Sequence, residues 1–152
     1  ASGGFTTGRK EIIELLRHRS RPYLFSNSLS PLIAAVTLKA IELIDSNPSL
    51  VRTLQTQTAY FRKRIAEAGF SIKPGDHPII PIMLGDARLA HDAADALLQE
   101  GIYVIGFSYP VVPKGEARIR LQVSAGHQTS DLDQAVAAFQ KVGYALHFLS
   151  TP

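Results

Sequence analysis

Apolar side chains recur at helical intervals in the first part of the chain, which predicts three helices over residues 9–19, 32–44 and 49–68. The first and third are amphipathic, with charged residues along one side. The second is apolar on nearly all sides, and such a helix is expected to be buried. Asn47 and Pro48 separate the second helix from the third, because proline cannot continue a helix from the preceding turn.

From residue 70 onward, short apolar segments with strand character alternate with amphipathic helices. Strands are predicted over residues 77–85, 102–105 and 117–124, and helices over 86–99 and 131–148, the last capped by Thr129 or Ser130. Pro81 lies within the first strand and has no N–H to donate, which favours an edge position or a bulge. The alternation predicts an α/β fold in which helices cover a small sheet.

Composition narrows the class of protein. The chain has 152 residues, of which 45% are apolar and 19% charged, as in folded globular domains. Its net charge of +3 comes from mostly scattered basic residues, so no nucleic-acid surface is expected. The absence of cysteine excludes disulfides, zinc–thiolate sites and a thiol nucleophile. No apolar run is long enough to cross a bilayer, so a soluble cytoplasmic protein without membrane contact is expected.

The segment 21–31, Arg-Pro-Tyr-Leu-Phe-Ser-Asn-Ser-Leu-Ser-Pro, leads into the predicted apolar helix. Pro22 is expected to prevent a helix within the segment itself. Pro31 suits the first helical position, since its fixed φ and missing N–H cost nothing there. Ser30 before it suits the N-cap.

Three small polar side chains, Ser26, Asn27 and Ser28, precede that helix. Together with the N–H groups at the helix N-terminus, their hydroxyl and amide groups can hold a phosphate without a lysine. The same residues are also compatible with a capped polar turn that binds nothing, because helix caps greatly outnumber phosphate sites. The sequence therefore predicts either an anion site or a capped polar turn without a ligand.

Polar and apolar residues alternate in the segment 117–124, Ala-Arg-Ile-Arg-Leu-Gln-Val-Ser. A strand there places Arg118, Arg120, Gln122 and Ser124 on one face and the apolar residues on the other. A guanidinium held on a rigid strand can bind a carboxylate through two parallel hydrogen bonds. The alternative is a solvated or ion-paired strand face.

The segment 106–115, Gly-Phe-Ser-Tyr-Pro-Val-Val-Pro-Lys-Gly, is too apolar for an ordinary surface loop, and its two prolines stiffen it. Phe107 and Tyr109 beside the arginine strand predict the wall of a pocket. Alternatively, the loop merely covers the sheet or meets a partner subunit.

The histidines do not indicate chemistry of their own. His127 follows Ser124 by three residues, but no Gly-x-Ser-x-Gly turn and no identifiable acidic partner accompany them, so no serine hydrolase is predicted. The five histidines show neither i,i+4 pairing nor clustering with carboxylates, so no metal centre is expected.

Several segments together resemble one enzyme family. They are Ala-Ser-Gly-Gly-Phe-Thr-Thr-Gly at 1–8, the segment 19–31, Met-Leu-Gly-Asp at 83–86, Tyr-Pro-Val-Val-Pro-Lys-Gly-Glu-Ala-Arg-Ile-Arg at 109–120, and Ser-Ala-Gly-His at 124–127. The chain resembles the C-terminal part of the α-oxoamine synthases, pyridoxal-phosphate (PLP) transferases of fold type I. The Phe-Ser-Asn-Ser and Tyr-Pro-Val-Val-Pro-Lys-Gly runs favour the glycine C-acetyltransferase branch over the sister enzymes that make 5-aminolevulinate, 8-amino-7-oxononanoate or 3-ketosphinganine.

The resemblance implies a domain organisation and a reaction. Residues 1–47 would form the tail of the large PLP-binding domain with an interdomain helix, and residues 48–152 the small C-terminal α/β domain. The complete enzyme would condense glycine with acetyl-CoA to give 2-amino-3-oxobutyrate and free CoA, a step of threonine catabolism. It would be a homodimer with active sites at the subunit interface.

The resemblance also implies roles for particular residues. Ser26 and Asn27 fall where one subunit of the family contacts the cofactor phosphate of the other, and Arg120 falls where the family binds the glycine carboxylate. The Schiff-base lysine is expected a few residues upstream of Ala1, so no catalytic residue is assigned within this chain and the chain alone is expected to be inactive. The rival hypothesis is a non-catalytic dimerisation or binding module that keeps the fold without the site.

Overall fold

A computed structural model gives the structure of the chain and describes residues 3–25 and 27–149. The chain divides into two compact units, Ala1–Pro48 and Ser49–Pro152. The sequence predicted a domain boundary between residues 47 and 48, and that assignment to two domains of a larger enzyme stays a prediction. Ser26, one of the candidate phosphate-binding residues, lies outside the described residues.

The first unit contains three helices, α1 (Lys10–Arg19), α2 (Arg21–Leu24) and α3 (Pro31–Ser46). The expectation that Pro22 excludes a helix was wrong. Pro22 occupies the first turn of the short α2, where its missing N–H would have had no helical acceptor. Pro31 begins α3 and Ser30 is its N-cap, as predicted, although the Ser30 side chain makes no capping hydrogen bond.

The apolar helix α3 is not buried, contrary to the sequence expectation. No described residue of α1, α2 or α3 is buried, and the side chains of Leu32 and Leu38 are 72% and 63% exposed. A helix that is apolar all round needs neighbours on several sides to bury it, and the short helices of its own unit do not supply them.

The second unit is a small antiparallel sheet packed with helices. Its elements are α4 (Pro48–Glu67), β1 (Ile79–Gly85), α5 (Ala87–Gln99), β2 (Ile105–Phe107), β3 (Ala117–Gln122) and α6 (Thr129–Ala145). The strand order is β1-β3-β2, with both pairs antiparallel. Pro81 therefore lies on a strand at the edge of this sheet, as predicted, and among the described residues only an isolated bridge between Ile72 and Ile82 extends the sheet beyond it. The predicted α/β fold with a small helix-covered sheet is confirmed.

The core of the second unit lies between the sheet and the helices α4, α5 and α6. The alternation predicted for β3 is confirmed, since its apolar side chains are buried while Arg118 and Arg120 lie on the more open face. The largest fully buried side chains of this core are Phe61, Ile65, Ile80, Ile82, Leu97, Ile119, Val123 and Phe139.

Most element boundaries differ by a few residues from the sequence prediction, and the structure shows the cause at two of them. The strand expected over 102–105 begins only at Ile105, because the Ile102 N–H donates to the Leu97 carbonyl at 2.9 Å and wraps the chain around the end of α5. Helix α6 is capped by Gln128 rather than Thr129 or Ser130. The Asp131 carboxylate accepts a hydrogen bond of 2.8 Å from the Gln128 N–H, and the helix starts two residues earlier than predicted.

Candidate functional site

Arg120 lies at the centre of β3, opposite Pro81 of β1 and Ile105 of β2. Because paired residues project to the same face of a sheet, these three share the face that turns away from the core. Beside Arg120 is a cavity of about 370 Å³. Its lining residues are His77, Ile79, Pro81, Phe107, Val111, Val112, Arg118 and Arg120.

The two arginines of this cavity are in different electrostatic situations. An Arg118 guanidinium nitrogen lies 3.5 Å from the Glu116 carboxylate, which also accepts a hydrogen bond of 3.0 Å from Lys73. The Lys73 hydrogen bond and charge, with a smaller contribution from Arg118, hold the pKa of the Glu116 carboxyl below its usual value. Among the described residues, no carboxylate forms a salt bridge with Arg120. Arg120 is thus the guanidinium left available for an external carboxylate.

Phe107 lies directly under the Arg120 guanidinium. The central carbon of that group is 4.3 Å from the centre of the ring, within the range of a cation–π contact. Of the apolar loop that the sequence predicted as a pocket wall, Phe107, Val111 and Val112 line the cavity. Tyr109 does not line it, and its ring instead lies 5.2 Å from the Lys114 ammonium.

His77 also lines this cavity, although no sequence pattern selects it. Its Nδ1 accepts a hydrogen bond of 3.0 Å from the Ile79 N–H, which leaves Nε2 as the protonated nitrogen of the neutral ring. Arg62 donates two hydrogen bonds to the His77 carbonyl, at 3.2 and 3.0 Å, and a third to the Lys73 carbonyl at 3.0 Å. A single histidine before a strand forms no recognisable motif, so only the folded structure shows that His77 lies beside Arg120.

A separate cavity of about 450 Å³ lies within the first unit, beside Asn27. Its polar lining includes Thr6, Arg17, Ser20, Tyr23, Asn27 and Ser28. Hydroxyl, amide and guanidinium donors of this kind suit a phosphate group. The sequence predicted Asn27 and Ser28 here but did not identify Arg17, which projects from α1 and has no sequence signature linking it to the later segment.

The Ser124–His127 pair is a structural turn. The His127 Nδ1 accepts the Ser124 N–H at 3.2 Å, and the Ser124 hydroxyl accepts the Gly126 N–H at 3.2 Å. The imidazole is therefore not positioned as a base for the serine hydroxyl, in agreement with the sequence interpretation. Within residues 3–25 and 27–149, no group of three or more potential metal ligands is found, and no helix is long and apolar enough to span a membrane.

Comparison with known protein families gives a match over most of the chain. The model for aminotransferases of class I and II matches residues 1–139. The chain belongs to this family. The family assignment agrees with the resemblance that the sequence motifs indicated.

Sequence identity to individual relatives is more specific than the family match. The chain is 52% identical to the mouse mitochondrial 2-amino-3-ketobutyrate coenzyme A ligase over 143 residues, which are 94% of this chain and 34% of that protein. It is 51% identical to the Escherichia coli protein of the same name over 146 residues, 96% of this chain and 37% of that protein. An 8-amino-7-oxononanoate synthase from Symbiobacterium thermophilum is 44% identical over 144 residues, 95% of this chain and 37% of that protein. The chain thus spans little more than a third of the length of these relatives.

Solved structures show the same fold. A serine palmitoyltransferase from S. paucimobilis with a bound PLP–myriocin aldimine has a TM-score of 0.81 and 26% identity, over 90% of this chain and 35% of that chain. The 8-amino-7-oxononanoate synthase from Francisella tularensis has a TM-score of 0.67 and 26% identity, over 90% of this chain and 40% of that chain.

Proposed function

We propose that the chain is the C-terminal part of a PLP-dependent acyltransferase that condenses glycine with acetyl-CoA to give 2-amino-3-oxobutyrate and CoA. The observation that carries this proposal is the 51–53% identity to 2-amino-3-ketobutyrate coenzyme A ligases over nearly the whole chain. In that enzyme, residues 1–47 belong to the large domain and its interdomain helix, and residues 48–152 form the small domain.

Arg120 is the proposed binding residue for the glycine carboxylate. It lines a cavity, stands on a rigid strand, and has no protein carboxylate as a salt-bridge partner among the described residues. Its planar guanidinium can present two parallel N–H groups to a carboxylate, whereas the neighbouring Arg118 is engaged with Glu116. Binding the carboxylate in this way fixes the orientation of the α-carbon of the amino acid.

Ser26 and Asn27 are the proposed contacts to the PLP phosphate, with the active site shared between the two subunits of a homodimer. The hydroxyl, amide and guanidinium groups around the cavity beside Asn27 fit a phosphate by their donor chemistry. When bound, PLP supplies an electron sink for the charge that develops at the amino-acid α-carbon. A cytoplasmic location stays a prediction, since the matched relatives include mitochondrial proteins.

The proposal is tested with the full-length protein that contains this chain. With PLP, glycine and acetyl-CoA present, CoA should be released in proportion to 2-amino-3-oxobutyrate formed. Replacing glycine by L-serine or L-alanine tests the choice of amino acid, and replacing acetyl-CoA by palmitoyl-CoA or pimeloyl-CoA tests the sister activities. Turnover with a longer acyl-CoA and none with acetyl-CoA would assign the chain to a different branch. No turnover by PLP-loaded protein with any of these pairs would support the non-catalytic module.

A further inference from the structure

Phe107 and Arg120 form a cation–π contact beside the cavity. All five N–H groups of a guanidinium lie in its plane, whereas an aromatic ring contacts its face. The central carbon of the Arg120 guanidinium lies 4.3 Å from the centre of the Phe107 ring, and no carboxylate among the described residues forms a salt bridge with this guanidinium. Arg118 is held differently, because one of its guanidinium nitrogens lies 3.5 Å from the Glu116 carboxylate in an ion pair.

Phe107 is itself held in place by the packing of β2. Phe107 pairs with Arg118 across the β2–β3 ladder, one residue after Gly106. A Cβ atom built on Gly106 would lie 2.6 Å from the Ala90 carbonyl oxygen and 2.9 Å from its carbon, so β2 contacts the backbone of α5 directly. The ring therefore rests on a strand that has no freedom to move towards the helix.

We propose that Phe107 is a positioning residue for the amino-acid substrate: its ring fixes the plane of the Arg120 guanidinium so that both parallel donors face the cavity. This inference rests on the proposed function, in which Arg120 binds the substrate carboxylate. A guanidinium without that support would sample other side-chain rotamers, and substrate binding would have to restrict them.

The test compares substitutions of Phe107 in the full-length enzyme. Phe107→Leu keeps an apolar side chain but removes the aromatic face, and should raise the KM for glycine about three- to tenfold while the KM for acetyl-CoA stays within about twofold. Phe107→Tyr keeps the face and should stay within about twofold of the wild type for both substrates. Tyr103→Leu is the matched control, since Tyr103 is an exposed aromatic residue that lies outside this cavity.

A double-mutant cycle with Arg120→Gln separates positioning from general packing. If Phe107 acts through Arg120, Phe107→Leu should change kcat/KM for glycine less than about twofold in the Arg120→Gln background. An equal loss in both backgrounds, or no loss from Phe107→Leu in the wild type, would overturn the inference while leaving the role of Arg120 intact. Unchanged glycine use in Arg120→Gln alone would overturn the proposed carboxylate site, and the inference with it.

Discussion

Tyr60 on α4 donates a hydrogen bond of 2.8 Å to the Asp133 carboxylate on α6. The same carboxylate oxygen accepts a second hydrogen bond, of 3.1 Å, from Arg64 one helical turn further along α4. The Tyr60 hydrogen bond and then that of Arg64 hold the pKa of Asp133 below its ordinary value, and the Asp133 partner raises the pKa of the Tyr60 phenol. One acidic side chain thus joins the helix that begins the second unit to the helix that ends it.

The first prediction concerns acid stability. Because the folded pKa of Asp133 is lowered, its contribution to stability is complete above the unfolded-state pKa of about 3.9 and is lost as the pH falls through the lower folded pKa. Asp133→Asn should therefore lower the Tm at pH 7, and the Tm difference from wild type should shrink below about pH 4. Thermal unfolding of the chain followed by circular dichroism between pH 3 and pH 8 measures both. A difference that is constant over this range would show that the ionised form contributes nothing.

The second prediction separates the two arginines of β3. In the full-length enzyme, Arg120→Lys should lower kcat/KM for glycine about ten- to a hundredfold, or about 1.4–2.7 kcal/mol, because a lysine cannot form the two parallel hydrogen bonds. Arg118→Lys should be much milder, since Arg118 is already paired with Glu116. Steady-state kinetics with each substrate varied in turn measure the difference. The opposite ranking of the two variants would assign the carboxylate to Arg118.

The third prediction concerns the cofactor phosphate. Replacing Ser26 and Asn27 by alanine in the full-length enzyme should weaken PLP retention, with each lost hydrogen bond to the charged phosphate costing about 1.5–3 kcal/mol. Dialysis followed by the absorbance of the remaining cofactor gives the retention, and circular dichroism checks the fold. A double variant that retains PLP like the wild type would leave the segment as a polar turn.

The fourth prediction follows from the open apolar surface of α3. In the 152-residue chain alone, amides of α3 should exchange with deuterium roughly a hundredfold faster than those of α6, because α6 is anchored by seven buried residues and α3 by none. Exchange followed by mass spectrometry of peptides gives both rates in one experiment. Protection of α3 equal to that of α6 would mean that association covers it.

The fifth prediction is that the 152-residue chain alone forms no specific imine with PLP, since the family's Schiff-base lysine is expected upstream of Ala1. Borohydride reduction after mixing with PLP should leave no single lysine stoichiometrically labelled. Peptide mass spectrometry should find at most weak labelling, spread over Lys10, Lys39, Lys63, Lys73, Lys114 and Lys141. Full labelling at one of them would contradict this prediction.

Much of the fold could be predicted because the pattern of apolar and polar residues is periodic within each helix and strand. Strand β3 shows alternation at every position, and α5 has the N-cap Asp86 immediately before it, whose side chain accepts the Leu89 N–H at 2.8 Å. The errors occurred where contacts that form only in the folded chain decide the local structure. The Gln128 cap of α6 is one example, because glutamine is not among the preferred N-cap residues.

The site was predictable in its residue types but not in its electrostatics. Alternation was enough to place both arginines of β3 on the outer face. It could not show that Arg118 is paired with Glu116 while Arg120 contacts Phe107. The Phe107 contact depends on the register between β2 and β3. Glu116 is also bound by Lys73, which lies 43 residues earlier in the chain. His77 was missed for the same reason, since its ring is fixed by a hydrogen bond that only the folded loop creates.

The hydrogen bonds of Arg62 restrict how the length of the segment 73–77 can vary among homologues. Its guanidinium closes the segment 73–77 into a ring by binding the carbonyls at both ends. Adding or deleting one residue between them changes the span of the segment by up to about 3.3–3.6 Å, whereas both carbonyls must stay within about 3.2 Å of one guanidinium. Homologues that keep this arginine should therefore keep the spacing of the segment, and natural insertions should collect in other connections, such as the one between β2 and β3.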